Sequence, residues 1–157
     1  MTALGQVLIA TSVLACGIIY GTDVFSAIVL RPALALVDDR TLVSIMGRVH
    51  DFGDRRLRVP GVAGLVATIL GTVVVAWAGH LAATVAGAIA VVALACWLII
   101  YARISAPINS RLTAASQRDE TPADARLLQQ RWDSVITPCS GLQGLAILSL
   151  CTALITS

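Results

Sequence analysis

Four long apolar runs, almost free of charge, constrain this chain more than any other feature. They cover residues 3–30, 59–79, 81–102 and 137–156. A helix needs roughly 20 apolar residues to cross the hydrocarbon core of a bilayer. Inside a bilayer every backbone polar group must be paired within its own segment, so such runs fold as helices. Two polar stretches, 31–58 and 103–136, separate them, and only Gly79-His80 lies between the second run and the third. The expected fold is all-α: a four-helix transmembrane bundle forming one domain over 1–157, with helical cytoplasmic extensions. The charge content agrees. Only 13% of residues are charged, against about a quarter in a soluble domain, and the mean hydropathy is +0.86. A net charge of +2 is too small to point to nucleic acid. The bilayer is the first partner, and homo-oligomerisation is left open.

No positive charge precedes the first run, and the run is too long for a signal-peptide core, although Ala33-Leu34-Ala35 looks like a cleavage site. It therefore reads as a retained span, closed by Arg31-Pro32. In the first polar stretch Asp38 or Asp39 can cap a helix, because a carboxylate accepts free backbone N–H groups. Leu42, Ile45, Met46 and Val49 then follow helical spacing. Gly61, Gly64 and Gly71 permit close helix approach in the second span. Ser105-Ala106-Pro107 is expected to end the third span. Thr121-Pro122-Ala123-Asp124 has the form of a helix start. That helix runs through Leu127, Leu128, Trp132 and Val135, and past Pro138 with a kink into the fourth span. Each half has a span, a neighbouring Arg and Pro, a polar helix and a second span, which reads as an internal duplication.

Every basic residue is arginine, and all lie in the polar stretches: Arg31, Arg40, Arg48, Arg55, Arg56 and Arg58, then Arg103, Arg111, Arg118, Arg126 and Arg131. Positive charge stays on the cytoplasmic side. Both polar connections are thus expected in the cytoplasm and both termini outside the plasma membrane. Cys16, Cys96, Cys139 and Cys151 lie in or beside apolar runs without a Cys-x-x-Cys spacing. They read as small buried hydrophobes rather than a disulfide framework.

The residues able to do chemistry cluster near the polar connections. His50 and Asp54 share a helix face, as do Asp51 and Arg55. A histidine with a carboxylate one turn away is a base with an orienting partner; it is also what a salt-bridged helix at the membrane surface looks like. Asp23 is the only acid deep in a span. Intramembrane carboxylates usually face a bundle interior, and Asp23 is expected to meet an arginine from Arg48–Arg58. Asn109, Arg131, Trp132 and Asp133 sit at the cytoplasmic ends of the third and fourth spans. The expected site joins His50, Asp54, Asn109 and Arg131 at the cytoplasmic mouth of the bundle. Two-histidine haem ligation is excluded, since His50 and His80 lie at opposite faces of a ~30 Å hydrocarbon layer. No recognised metal-ligand spacing is present. No tight metal is expected, though one held by His50, Asp54 and Asp133 stays open. No phosphate loop or nucleophile elbow occurs.

Gly21-x-x-x-Phe25 with Arg31-Pro32, then Ser105-Ala106-Pro107-Ile108-Asn109-x-x-Leu112, then Arg131-Trp132-Asp133 before the last span, resemble the anthrone-oxygenase-like membrane proteins. The resemblance extends over nearly the whole chain. Many relatives carry Arg soon after the Trp motif, near where this chain has Cys139. The resemblance implies oxidation of a hydrophobic polycyclic aromatic substrate of polyketide type, with O₂ as cosubstrate and no flavin or haem. His50 or an Asp would be the base, Arg55 or Arg131 the cation for an enolate oxygen, and Trp132 a stacking wall. Asp23, Asn109 and Asp133 would complete the substrate pocket. Two other readings stay open: a non-catalytic membrane protein that binds a partner through its polar connections, and a metal-dependent redox protein.

Overall fold

The computed structural model describes residues 3–157, and the described residues are almost wholly helical. In chain order they form α1 (Ala3–Phe25), α2 (Arg31–Leu34), α3 (Asp39–Arg56), α4 (Arg58–Trp77), α5 (Leu81–Ile100), α6 (Ala106–Gln117) and α7 (Ala125–Thr156). Four continuous helical stretches are long and apolar enough to cross a membrane: Ala3–Leu34, Arg58–Trp77, Leu81–Gln117 and Ala125–Thr156. The protein is an integral membrane four-helix bundle. α1 packs on α4 and α7, and α5 closes the ring by packing on the same two helices. α3 and α6 pack on each other at the polar end.

Small residues let the spans approach. Ala83, Ala86, Ala90 and Ala93 line one face of α5, and Ala146, Leu150 and Ala153 answer from α7. Without a hydrophobic effect between helices in lipid, close van der Waals contact does the holding. Gly64 lies against Cys16 and Ala15, and Gly71 against Ile9, as expected; Gly61 has open space instead. Ser12 reaches across to Thr68 and to the Gly64 carbonyl, 3.0 Å away. The hairpin between α4 and α5 turns at Gly79, whose φ of +78° suits a residue without Cβ. A second apolar cluster under the polar end joins Leu42, Val43 and Met46 of α3 to Ile108 and Leu112 of α6.

Asp38 caps α3, as the sequence leads one to expect. Its Oδ1 accepts from the Thr41 amide at 2.9 Å and its Oδ2 from the Thr41 hydroxyl at 2.9 Å. Three boundaries differ from expectation. Pro32 does not close the first helix, and Pro107 does not end the third. In each case a π-helical turn precedes the proline: Ser26–Leu30 and Tyr101–Ser105. The amide just before each proline reaches five residues back, Arg31 to Ser26 and Ala106 to Tyr101. A proline ring clashes with the carbonyl four residues back and donates no hydrogen bond. The wider turn moves that carbonyl aside, so the helix continues. Such turns recur at functional sites, and both face the same end of this bundle. The third difference is the start of α7 at Ala125 rather than Thr121. Asp124 makes no side-chain cap there and instead pairs with Arg111 at 3.0 Å. α7 then runs unbroken through Pro138.

Ion pairs tie the two halves at the polar end. Arg40 meets Asp119 at 3.0 Å. Arg126 meets Asp39 at 2.7 Å and donates to the carbonyls of Leu34 and Val37. Arg126 thus clamps the start of α7 to the α2–α3 connection. Arg126→Ala is expected to lower stability by about 1–3 kcal/mol, because three acceptors lose a charged donor. A thermal melt in detergent, with an exposed-pair control such as Arg40→Ala, measures this; equal small shifts in both would contradict the clamp.

Candidate active site

Each span sends one polar-dotted face toward a common cavity. On α7 the face is Trp132, Ile136, Cys139 and Gln143, at steps of four, three and four residues, the repeat that keeps side chains on one side of a helix. On α5 and its continuation it is Leu94, Trp97, Tyr101, Ser105 and Asn109. α1 adds Cys16, Ile19, Asp23 and Ser26, and α4 adds Arg58 and Leu65. α3 lies over the mouth and contributes His50 and Asp54. The cavity has a volume of about 530 Å³, within the usual range for small-molecule pockets. Val62 and Leu98 line it and remain 59% and 42% exposed. These two lining residues, one from α4 and one from α5, are thus also part of the outer surface of the bundle.

Asp54 anchors the polar wall. Its Oδ1 accepts from Tyr101 Oη at 2.8 Å and from Asn109 Nδ2 at 3.0 Å. Tyr101 in turn stacks on Trp97, with ring centroids 5.7 Å apart and planes inclined by 12°. Trp97 Nε1 donates to Asp23 Oδ2 at 3.2 Å. A chain of contacts thus runs from Asp23 through Trp97, Tyr101 and Asp54 to Asn109. His50 sits one turn before Asp54, 4% exposed, its ring tilted against Trp132 at 5.4 Å. Buried polar atoms are normally hydrogen-bonded. Four here have no partner among the described residues: His50 Nε2, Asn109 Oδ1, Trp132 Nε1 and Gln143 Oε1. All four belong to residues lining this cavity.

Of the residues singled out in the sequence, His50, Asp54, Asp23, Asn109 and Trp132 line the cavity. Arg131 does not; its residue is exposed, outside the cavity lining. Arg55 points outward and pairs with Asp51 at 2.7 Å. Asp133 lies in a separate groove between α2 and α7, accepting from Gln129 at 2.9 Å with Arg31 at 4.0 Å. Asp23 faces inward as expected, but its hydrogen-bond donor is Trp97 rather than an arginine. Arg58 is the cation that lines the cavity. Among the described residues no three His, Cys, Asp or Glu side chains converge as a metal site. Sequence reasoning passed over Trp97, Tyr101 and Gln143. The signal was present in the stepped faces of α5 and α7, where polar side chains recur at helical spacing inside apolar runs.

Burial holds the His50 imidazole down at about 4, from an ordinary 6.5, and the Asp54 charge offsets this only in part. The ring is neutral at physiological pH. The unfolded chain takes up this proton near 6.5 and the folded one only near 4. Between those values the unfolded state binds more protons. Stability from this group is therefore complete above about 6.5 and declines as the pH falls toward 4. The full loss is on the order of 3 kcal/mol. Melts in detergent across that window should show the decline in wild type and a flatter profile in His50→Phe. Parallel profiles would contradict the assignment.

No protein-family model matches the chain, and comparison with curated proteins and with solved structures found no match either.

Proposed function

We propose that the protein is a membrane oxygenase acting on flat, lipid-soluble aromatic substrates of the anthrone type. The observation that carries this reading is the neutral, unpartnered His50 in the wall of an apolar cavity, beside a carboxylate fixed by two donors. Val62 and Leu98 belong both to the cavity lining and to the apolar outer surface, which supports entry of an oily substrate from the bilayer. The resemblance to the anthrone-oxygenase-like proteins supports the same chemistry.

An anthrone has a methylene made acidic by two flanking rings and a conjugated carbonyl. His50 takes one proton from it as general base. A lone imidazolium is disfavoured in this burial, but here the charge forms beside the anthrolate anion and one turn from Asp54. Tyr101 and Asn109 hold Asp54 in place for that moment. Trp132 Nε1, which has no partner among the described residues, is the donor available to the anthrolate oxygen, and Arg58 adds positive potential at the cavity wall. One such donor can lower a barrier by about 3 kcal/mol. The anthrolate passes an electron to O₂, the radical pair joins as a peroxide anion at the former methylene carbon, His50 returns its proton to give the hydroperoxide, and loss of water leaves the quinone. One anthrone and one O₂ give one anthraquinone and one water. The electron-rich anion reduces O₂ itself, so the scheme calls for no organic cofactor.

The partner-binding reading expects a tightly packed bundle with these groups in water. The buried His50 and Asn109 and the cavity favour the enzyme. The arginine distribution supports a plasma-membrane topology with the polar end in the cytoplasm and both termini outside. Purified protein in lipid nanodiscs, given an anthrone, is expected to consume O₂ and form quinone in equal amounts. No uptake above the rate with empty nanodiscs would overturn the reading.

A further inference from the structure

The groove between α2 and α7 takes no part in the chemistry of the cavity. It has a volume of about 670 Å³, and Arg31, Arg126, Gln129, Gln130 and Asp133 line it among apolar side chains. Its depth in the membrane follows from the helices that form it. Asp133 is four residues before Thr137, where the last apolar run begins, which is about 6 Å along the helix. On the first span Ile28 and Val29, just before Arg31, are exposed and apolar, and so face lipid. The groove thus lies at the level of lipid headgroups, with hydrocarbon-facing surface next to it.

Some of its polar groups are engaged and others are not. Arg126 serves Asp39 and the carbonyls of Leu34 and Val37. Gln129 Nε2 donates to Asp133 Oδ1 at 2.9 Å. A carboxylate only accepts, so this contact fixes which end of the amide is which. Gln129 Oε1 is then left with no hydrogen-bond partner among the described residues, although the residue is 3% exposed. Asp133 Oδ2 lies 4.0 Å from Arg31 Nε, too far for a hydrogen bond. The Arg31 side chain is half-exposed, with no closer carboxylate among the described residues. The groove therefore places two oxygens that need a donor beside a guanidinium that has no tight anion.

A matching ligand carries an N–H cation for the two oxygens and, close by, an anionic oxygen for Arg31. A phosphoethanolamine group has both: an ammonium with three donors, two carbons from a phosphodiester. A choline headgroup brings a cation without an N–H. A glycerol headgroup brings no cation for Asp133. Basic pockets between spans are known places for lipid headgroups, and arginine suits a phosphodiester. We infer that the groove between α2 and α7 binds the headgroup of phosphatidylethanolamine, with its ammonium at Asp133 and Gln129 and its phosphodiester at Arg31. The headgroup-level position and the lipid-facing surface at Ile28 and Val29, where acyl chains can lie, favour the lipid over free phosphoethanolamine. This site is independent of the chemistry proposed for the cavity.

Native mass spectrometry of purified, delipidated protein gives the affinity for the first lipid bound. The probes are phosphatidylethanolamine, phosphatidylcholine and phosphatidylglycerol with the same acyl chains. Wild type is expected to bind phosphatidylethanolamine about ten-fold more tightly than either of the others, as one added hydrogen bond to a charged group implies. Asp133→Asn removes the charge that meets the ammonium, and is expected to bind phosphatidylethanolamine and phosphatidylcholine alike. Arg31→Gln removes only the phosphodiester contact, and is expected to weaken both while the preference between them stays. Equal affinities in wild type, or a preference that survives in Asp133→Asn, would overturn the assignment. The wild-type comparison decides alone if a variant does not fold. Water-soluble glycerophosphoethanolamine that displaced the lipid at equal concentration would overturn the lipid as the occupant.

Discussion

His50→Phe is expected to lower oxygen consumption with an anthrone by on the order of a hundred-fold or more, the usual contribution of a positioned general base. The substitution keeps an aromatic ring against Trp132 and puts an apolar group where burial already disfavours charge. The protein should therefore remain folded, and below the ordinary histidine range it should gain relative stability. Loss of activity with retained folding separates a chemical role from a packing role. A His50→Phe protein that turned over at the wild-type rate would remove the base from the mechanism. Asp54→Asn should be milder in turnover, since the base remains, but it takes away the charge that stabilises the protonated ring.

Gly47→Leu should have the largest effect on the fold. A Cβ at Gly47 would meet Ser116 Cβ and come within 2.6 Å of the Leu112 carbonyl oxygen. That oxygen is backbone and cannot turn away. α3 and α6 approach this closely because the position has no side chain, and the contact is tied by Thr113 Oγ1 donating to the Gly47 carbonyl at 3.1 Å. Overpacking of this kind costs roughly 1–3 kcal/mol for a few added carbons; leucine here should reach the upper end and separate the two helices. His50 follows one turn later on α3, so the cavity roof should move and activity fall with stability. Gly53→Ala is the control, because a Cβ there has nothing within 4 Å. It should be neutral or slightly stabilising, as expected for alanine in a helix interior. Equal melting temperatures for Gly47→Leu and wild type would contradict the close packing of α3 on α6.

The four spans were legible because hydrocarbon leaves the backbone only one way to pair itself, and run length follows directly from that. The cap at Asp38 was legible because it is local. The prolines were misread. Pro32 and Pro107 look like helix ends by the rule that serves in water, but a π-turn placed ahead of each lets the helix continue. That accommodation is invisible in residue type. The site was half legible. His50, Asp54, Asp23, Asn109 and Trp132 stood out as polar groups near apolar helices, and they share the cavity. Arg131 and Arg55 were chosen by proximity along the chain, and helix phase turned both away. Arg131 precedes Trp132 by one residue, about 100° of rotation, which is enough to put it outside. Tyr101 and Gln143 were missed for the opposite reason: each is a lone polar residue in an apolar run, and only the assembled bundle shows that both face the same space.

The function proposed for this protein depends on the cavity taking a flat aromatic ligand against the wall formed by His50 and Trp132. The decisive measurement is a crystal structure grown from a lipid phase with anthraquinone. Ring density is expected inside the cavity, stacked near Trp132, with one quinone oxygen within hydrogen-bond distance of Trp132 Nε1 and the opposite side of the central ring at His50. Ligand found only on the lipid-facing surface, with the cavity closed or filled by side chains, would contradict it.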